Sequence, residues 1–310
     1  MGLFVSLYAR QQEISKEAWA RVFDESLELL KNYPLPLIGR KSEDTKWGKR
    51  LMFSPVGFRK DDKFGEYWRV EGDSLSGRHA ESFILQRHFS DSEKLSPQNN
   101  DASLSILWQD AENINYFDGD GRTIFHEKTQ GYPFHYAMLG VGMLFESRFP
   151  RKALVLGDVT VDQAEMVKNW SCTFLKEPLK LPIIMDEVRL WEQLIQDYEG
   201  NNSLAMQRFF TLYRGTFSCM EAFVRLGLGE EALEDFLSKE LSNAPSLCTK
   251  RVFKMVKPLM ESLGLSKTMG MLQRINEGFP QGEKFDYTSF AETLASKFIT
   301  IAPAPPWPQF

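Results

Sequence analysis

The stretch LPIIMDEVRLWEQL, residues 181–194, marks the point at which the sequence changes character. Before Pro182, short strand-like runs are separated by turn residues, a pattern typical of a sheet. After Pro182, apolar residues recur at the spacing of helices that bury one face. We therefore predict an α+β fold, in which an N-terminal antiparallel sheet with packed helices is followed by a mostly helical C-terminal half.

The same change predicts how the chain is divided. With 310 residues, the chain is long enough for two domains, because single hydrophobic cores stop growing at about this length. We expect an α+β domain over residues 1–181 and a helical domain over residues 182–301. A proline-rich tail, residues 302–310, is expected to be extended.

Local signals predict several elements of the first domain. Residues 3–8 alternate as a strand does, and Ser15 has the position of an N-cap for a helix that ends near Asn32. A buried helix is expected over residues 134–145, which are apolar on nearly every side. Further strands are predicted at residues 51–58, 66–70, 81–89, 104–108, 113–117 and 122–125.

The residues Asp118-Gly119-Asp120-Gly121 lie between the last two of these strands. Asp and Gly tolerate the positive φ that tight turns require, so the segment predicts a β-hairpin. Together with His126 and Glu127, this segment is also the best candidate for a catalytic or metal-binding site. Its spacing does not fit a calcium loop that starts at Asp118, because threonine occupies the sixth and twelfth positions.

Other catalytic and cofactor motifs do not occur in the sequence. It contains no HExxH, GxSxG, GxGxxG or P-loop pattern, and the cysteines Cys172, Cys219 and Cys248 form no CxxC pair. We therefore predict no enzyme activity, no catalytic residue, no metal and no cofactor. A metal-dependent hydrolase that uses the Asp118–Glu127 region is one alternative, and a helical scaffold or adaptor protein is another.

Composition narrows the class of partner. The net charge is -5, which argues against a nucleic-acid partner and favours a basic protein. The first ten residues lack the basic region of a secretory signal, and no apolar run is long enough to span a membrane. We expect a cytoplasmic protein that has no membrane partner.

Acidic clusters are the expected contacts for a basic protein. The predicted helix over residues 230–241 is strongly acidic, with Lys239 as its single basic residue. Most acidic faces are simply solvated, and the alternative is a docking face. The predicted partner-binding residues are Asp118, Asp120, Glu230, Glu231, Glu234 and Asp235.

The sequence also resembles a known family. The resemblance rests on YPFHYAMLGVGMLFESRFPRKALVLGDVTVDQAEMVKNW at residues 132–170 and on residues 181–194. MGLFVSLYAR at residues 1–10 and GEYWRVEGD at residues 65–73 add to it. These segments resemble the large α+β immunity proteins of bacterial polymorphic-toxin systems. Within that family they resemble the TsiT-like group, which is paired with the nuclease effector TseT of the type VI secretion system.

The resemblance implies that the protein acts by binding and catalyses no reaction of its own. A protein of this kind binds a cognate toxin in the cytosol and blocks it by protein–protein contact. A nuclease toxin offers a basic surface to its phosphate substrate, and an acidic inhibitor can meet that surface with complementary potential. The resemblance carries over no catalytic residue.

Overall fold

A computed structural model describes residues 2–89, 122–242 and 249–280, together with Asp286 and Phe290. The strands are β1 (Phe4–Ala9), β2 (Ile38–Thr45), β3 (Gly48–Pro55), β4 (Arg59–Asp61), β5 (Gly65–Asp73), β6 (Arg78–Gln86), β7 (Arg122–Lys128) and β8 (Ala153–Gly157). The helices are α1 (Lys16–Lys31), α2 (Phe134–Arg148), α3 (Val161–Ser171), α4 (Glu187–Asp197), α5 (Asn202–Leu212), α6 (Cys219–Arg225), α7 (Glu230–Ser242), α8 (Lys250–Leu263) and α9 (Leu265–Gly278).

This order of elements confirms the predicted fold class. The strands lie in the N-terminal half and most of the helices follow them. The predicted strands at residues 104–108 and 113–117, the turn at Asp118–Gly121 and the tail at residues 302–310 lie outside the described residues.

The chain forms two compact units. The first contains Met1–Gly200 and Thr211–Thr216, and the second contains Asn201–Phe210 and Phe217–Phe310. Residues 182–200, which the sequence assigns to the helical domain, belong to the first unit. Whether the chain folds as two independent domains divided at residue 181 stays a prediction.

The core of the first unit lies around α2. The strands β7, β1 and β8 form an antiparallel sheet in that order, and α2 packs against β1, β8, α1 and α3. Contact on several sides explains why α2 is apolar nearly all round. At Gly142 the helix lies so close to β8 that a Cβ atom would stand 2.5 Å from Cγ2 of Val155.

A second sheet is built around β5. The strand β6 pairs along one side of β5, and β4 pairs at one end of the opposite side. The strand β2 meets the other end of that side through a single parallel pair, Ile38 with Asp73. The strand β3 pairs with β2 and stands last in the strand order. Among the described strands, the hairpin of β2 and β3 thus pairs with the rest of this sheet only at its base.

The second unit is helical. Within it, α8 packs against α6 and α9, and α7 packs against α9. Its core includes an aromatic cluster in which Phe223 lies 5.0 Å from Phe209 and 5.5 Å from Phe236, measured between ring centroids. Among the described residues, no helix has both the length and the apolar character needed to cross a membrane.

Candidate partner-docking surface

The turn of the β2–β3 hairpin is closed by local chemistry. Thr45 and Gly48 pair across a two-residue loop that contains Trp47. The hydroxyl of Thr45 donates to the carbonyl oxygen of Gly48 at 2.7 Å and accepts a bond from the N–H of Trp47 at 3.2 Å. Gly48 has φ +111°, a conformation that side chains other than glycine rarely adopt. These bonds hold the turn and leave the Trp47 ring in solvent.

The hairpin exposes apolar side chains along most of its length. All eight residues of β3 are exposed, and the exposed fractions are 88% for Trp47, 59% for Leu51, 41% for Met52 and 44% for Phe53. An isolated two-stranded hairpin is at best marginally stable, and contiguous exposed apolar residues mark interaction sites. We call residues 38–55 the hairpin surface.

The hairpin surface is basic although the whole chain is acidic. It carries five basic residues and two acidic ones, which gives a net charge of +3 against -5 for the chain. Lys41 and Glu43 form an ion pair at 3.2 Å. The register also places Glu43 opposite Arg50 and Asp44 opposite Lys49. The excess positive charge therefore remains after internal pairing, and it favours an acidic partner at this surface.

Along the outer edge of β3, a definite set of backbone groups has no partner among the described residues. The N–H of Val56 donates to the carbonyl oxygen of Leu37 at 2.9 Å, just beyond the pair of Ile38 with Pro55. Hydrogen-bonded pairs alternate along an antiparallel ladder, so the backbone groups of residues 50, 52 and 54 face β2. Those of Lys49, Leu51 and Phe53 face outward. Among the described residues, no strand pairs with this edge.

An apolar pocket lies in the first unit, close in sequence to the hairpin. It has a volume of about 250 Å³ and is lined by Tyr33, Pro34, Leu35, Pro133, Tyr136, Met166, Val167 and Trp170. Leu35 and Met166 are exposed, and Leu35 precedes the first residue of β2 by three positions. Apolar surface is thus present at both the tip and the start of the hairpin segment.

Two polar groups of the pocket wall, on Tyr33 and Trp170, already form hydrogen bonds within the protein. The hydroxyl of Tyr33 donates a hydrogen bond to the carbonyl oxygen of Pro133. The indole N–H of Trp170 donates to the carbonyl oxygen of Asn32 at 3.2 Å. Burial is the main cause that raises the pKa of Tyr33 to about 12, so this hydroxyl stays protonated at neutral pH. The pocket therefore offers apolar walls and fits a small apolar side chain better than a polar ligand.

The structure changes the expected acidic face on α7. Glu230 lies 3.4 Å from Lys267 and 3.8 Å from Arg274, and Glu234 accepts a bond from Nε of Arg274 at 2.9 Å. These two carboxylates face basic residues of α9, which the sequence did not place beside them.

Glu231 and Asp235, one helical turn apart on α7, are exposed, and no ion pair of either occurs within the part of the chain that the structure describes. Asp118 and Asp120 lie outside the described residues. The role of all six acidic residues as partner contacts stays a prediction.

The hydrolase alternative uses the Asp118–Glu127 region, of which the structure describes His126 and Glu127 on β7. Nδ1 of His126 lies 2.6 Å from the hydroxyl of Ser6, and the His126 ring stacks on Phe4 at 5.0 Å. As neighbours on one strand, His126 and Glu127 point to opposite faces of the sheet. Burial, followed by the nearby Glu81, raises the pKa of Glu127. Within the described ranges, no three His, Cys, Asp or Glu side chains are grouped as metal ligands.

The sequence contains one signal for the hairpin surface. Trp47 lies in the segment KWGKR, where a single large aromatic residue is flanked by basic residues and followed by glycine. An apolar side chain in so polar a segment has no core to join, and the adjacent glycine marks a turn. Comparison with protein-family models, with curated proteins and with solved structures gave no match.

Proposed function

We propose that this protein is an inhibitor that binds and neutralises a cognate antibacterial toxin by protein–protein contact, and that the hairpin surface makes that contact. The observation that carries the proposal is the exposure of all of β3 together with Trp47. Trp, Met and Arg are enriched at the centres of protein interfaces, and all three residue types occur in this segment.

The exposed apolar side chains of the hairpin surface contribute little to the packing of the chain itself. Trp47, Leu51 and Phe53 face solvent, whereas β5 and β6 place Trp68, Val70, Phe83 and Leu85 in the core. Fully burying one large apolar side chain contributes roughly 1.5–3 kcal/mol. A partner that covers the hairpin surface would gain this free energy, which folding of the chain alone leaves unused.

The resemblance to immunity proteins supports the toxin as the partner. On this proposal the toxin is a nuclease effector of a type VI secretion system, and the inhibitor meets it in the cytoplasm. A nuclease must present basic surface to its phosphate substrate. The exposed carboxylates of Glu231 and Asp235, in the second unit, supply a complementary charge for that surface. The basic hairpin surface requires a separate, acidic part of the same toxin.

Co-expression with the cognate toxin tests the proposal. Three proteins are compared: the native chain, a hairpin variant with Trp47→Ala, Leu51→Ser and Phe53→Ser, and a control with Leu75→Ser and Leu265→Ser. The control removes exposed apolar side chains elsewhere. Growth should be restored by the native chain and the control but not by the hairpin variant, with equal melting temperatures for all three.

Two results would contradict the proposal. One is full rescue of growth by the hairpin variant, which would place the interface elsewhere. The other is failure of the native chain to rescue growth although the toxin is active and the native chain is folded. The second result would remove the toxin as partner.

A further inference from the structure

We infer that β3 takes an extended, acidic segment of the partner protein as an additional antiparallel strand along its outer edge. The inference rests on the proposed function, because it specifies how the hairpin surface binds. It names the chemistry of the bound segment, which is apolar where it faces the middle of β3 and acidic where it faces the turn.

The backbone of β3 supplies the first part of the case. The N–H and C=O groups of Lys49, Leu51 and Phe53 point away from β2 and meet no other strand among the described residues. A row of such groups is a template for one more strand. Peptides that bind in this way gain affinity from main-chain hydrogen bonds and specificity from alternate side chains.

The side chains of β3 define what the added strand must carry. Residues directly opposite each other in an antiparallel pair are the ones that interact. Phe53, Met52 and Leu51 would face three consecutive residues of the partner, which should be apolar. Arg50 and Lys49 would face the next two residues, which should be Glu or Asp.

Charge favours an acidic segment of another protein over a second copy of this chain. The hairpin surface carries a net charge of +3. Pairing two copies of β3 would bring together two hairpin surfaces that each have a net charge of +3. An acidic strand would instead neutralise that charge. Electrostatic complementarity of this kind also raises the association rate and makes it depend on salt.

A defined peptide tests the inference on the native chain. The probe contains Val-Ile-Val-Glu-Glu between polar flanks. One control peptide replaces the glutamates by lysines, and a second keeps the sequence but carries N-methyl groups on the residues that bond to β3. Binding should fall at least about tenfold for either control, because one loses the opposite charges and the other loses main-chain bonds.

Amide hydrogen exchange provides a readout specific to the strand edge. The probe should slow exchange at Lys49, Leu51 and Phe53. It should change Arg50 and Met52 much less, since their amides already bond to β2. Leu51→Pro removes an outward donor and should abolish binding of the probe, whereas Leu51→Val should keep it. Persisting protection of Arg50 and Met52 would show that the hairpin still forms in the proline variant.

The outcomes separate this inference from the proposed function. Unchanged exchange at Lys49, Leu51 and Phe53, or equal binding of the lysine peptide, would overturn the edge-strand inference. Protection of these amides that rises with protein concentration in the absence of peptide would overturn it in favour of a second copy. Toxin binding that survives Leu51→Pro but is lost in the triple hairpin variant would leave the proposed function standing and refute only this inference.

Discussion

The carboxylate of Glu146 on α2 accepts a hydrogen bond from the backbone N–H of Ile183 at 2.6 Å. Its other oxygen accepts the N–H of Val155 on β8 at 2.9 Å. This fully buried side chain therefore connects a helix, a strand and the segment that follows Pro182. Burial is the main cause that raises the pKa of Glu146 from 4.5 to about 7.

We expect this group to make the free energy of unfolding depend on pH. The folded state binds the proton of Glu146 more tightly than the unfolded state does, so its contribution is largest below pH 4.5 and falls as the pH rises to about 7. The loss is on the order of 3 kcal/mol. Glu146→Gln should remove this slope from urea unfolding curves, while the exposed control Glu192→Gln should keep it. Equal slopes in all three proteins would refute the assignment.

A buried hydrogen bond gives a second prediction. The indole N–H of Trp68 donates to the hydroxyl of Ser26 at 2.8 Å, and both side chains are fully buried. Ser26→Ala should lower the free energy of unfolding by about 1–3 kcal/mol, because the indole N–H loses its acceptor. Adding Trp68→Phe should then cost less than Trp68→Phe costs alone. Strictly additive changes would show that the two groups are not coupled.

The close approach of α2 to β8 gives a third prediction. In Gly142→Ala the new methyl group would stand 2.5 Å from Cγ2 of Val155, so we expect a loss of about 1–3 kcal/mol in the free energy of unfolding. Gly140→Ala should cost less, since its nearest contact would be 3.2 Å. Val155→Ala should partly restore the Gly142→Ala protein. A Gly142→Ala protein as stable as the native chain would contradict the packing.

The acidic residues of α7 give a fourth prediction, about association with the toxin. Reversing Glu231 and Asp235 to lysine should slow association and reduce its dependence on salt, because both carboxylates are exposed. Reversing Glu261 and Glu277 gives the same change in net charge elsewhere in this unit. Association rates of both double variants with the toxin, measured at two salt concentrations, show whether the effect is specific to α7. If both double variants behave alike, α7 is not a specific contact.

Much of the first unit could be predicted from local signals. The hydroxyl of Ser15 accepts the N–H of Ala18 at the start of α1, as expected of an N-cap. Thr160 and Gln163 form a complete capping box at the start of α3. Such signals are readable because donor and acceptor lie within one turn of each other in sequence.

The first strand of the hairpin surface, β2, was harder to predict because it lacks the usual pattern, whereas the prediction at residues 51–58 overlaps β3. The sequence IGRKSEDT of β2 contains one large apolar residue and shows no alternation. Its strand conformation is set by pairing with β3 and by the turn at Thr45 and Gly48. The ion pairs between α7 and α9 were equally hidden, since Glu234 and Arg274 are 40 residues apart.

Binding of the toxin by the hairpin surface is tested most directly by the affinity of the purified toxin for the native chain and for Trp47→Ala, measured by calorimetry. A tryptophan at the centre of an interface typically contributes at least about 2 kcal/mol, which corresponds to roughly a thirtyfold change in Kd. We predict at least that loss for Trp47→Ala, and a Kd within about twofold of the native value for Leu75→Ala. Equal affinity of the native chain and Trp47→Ala for the toxin would contradict the claim that the hairpin surface binds it.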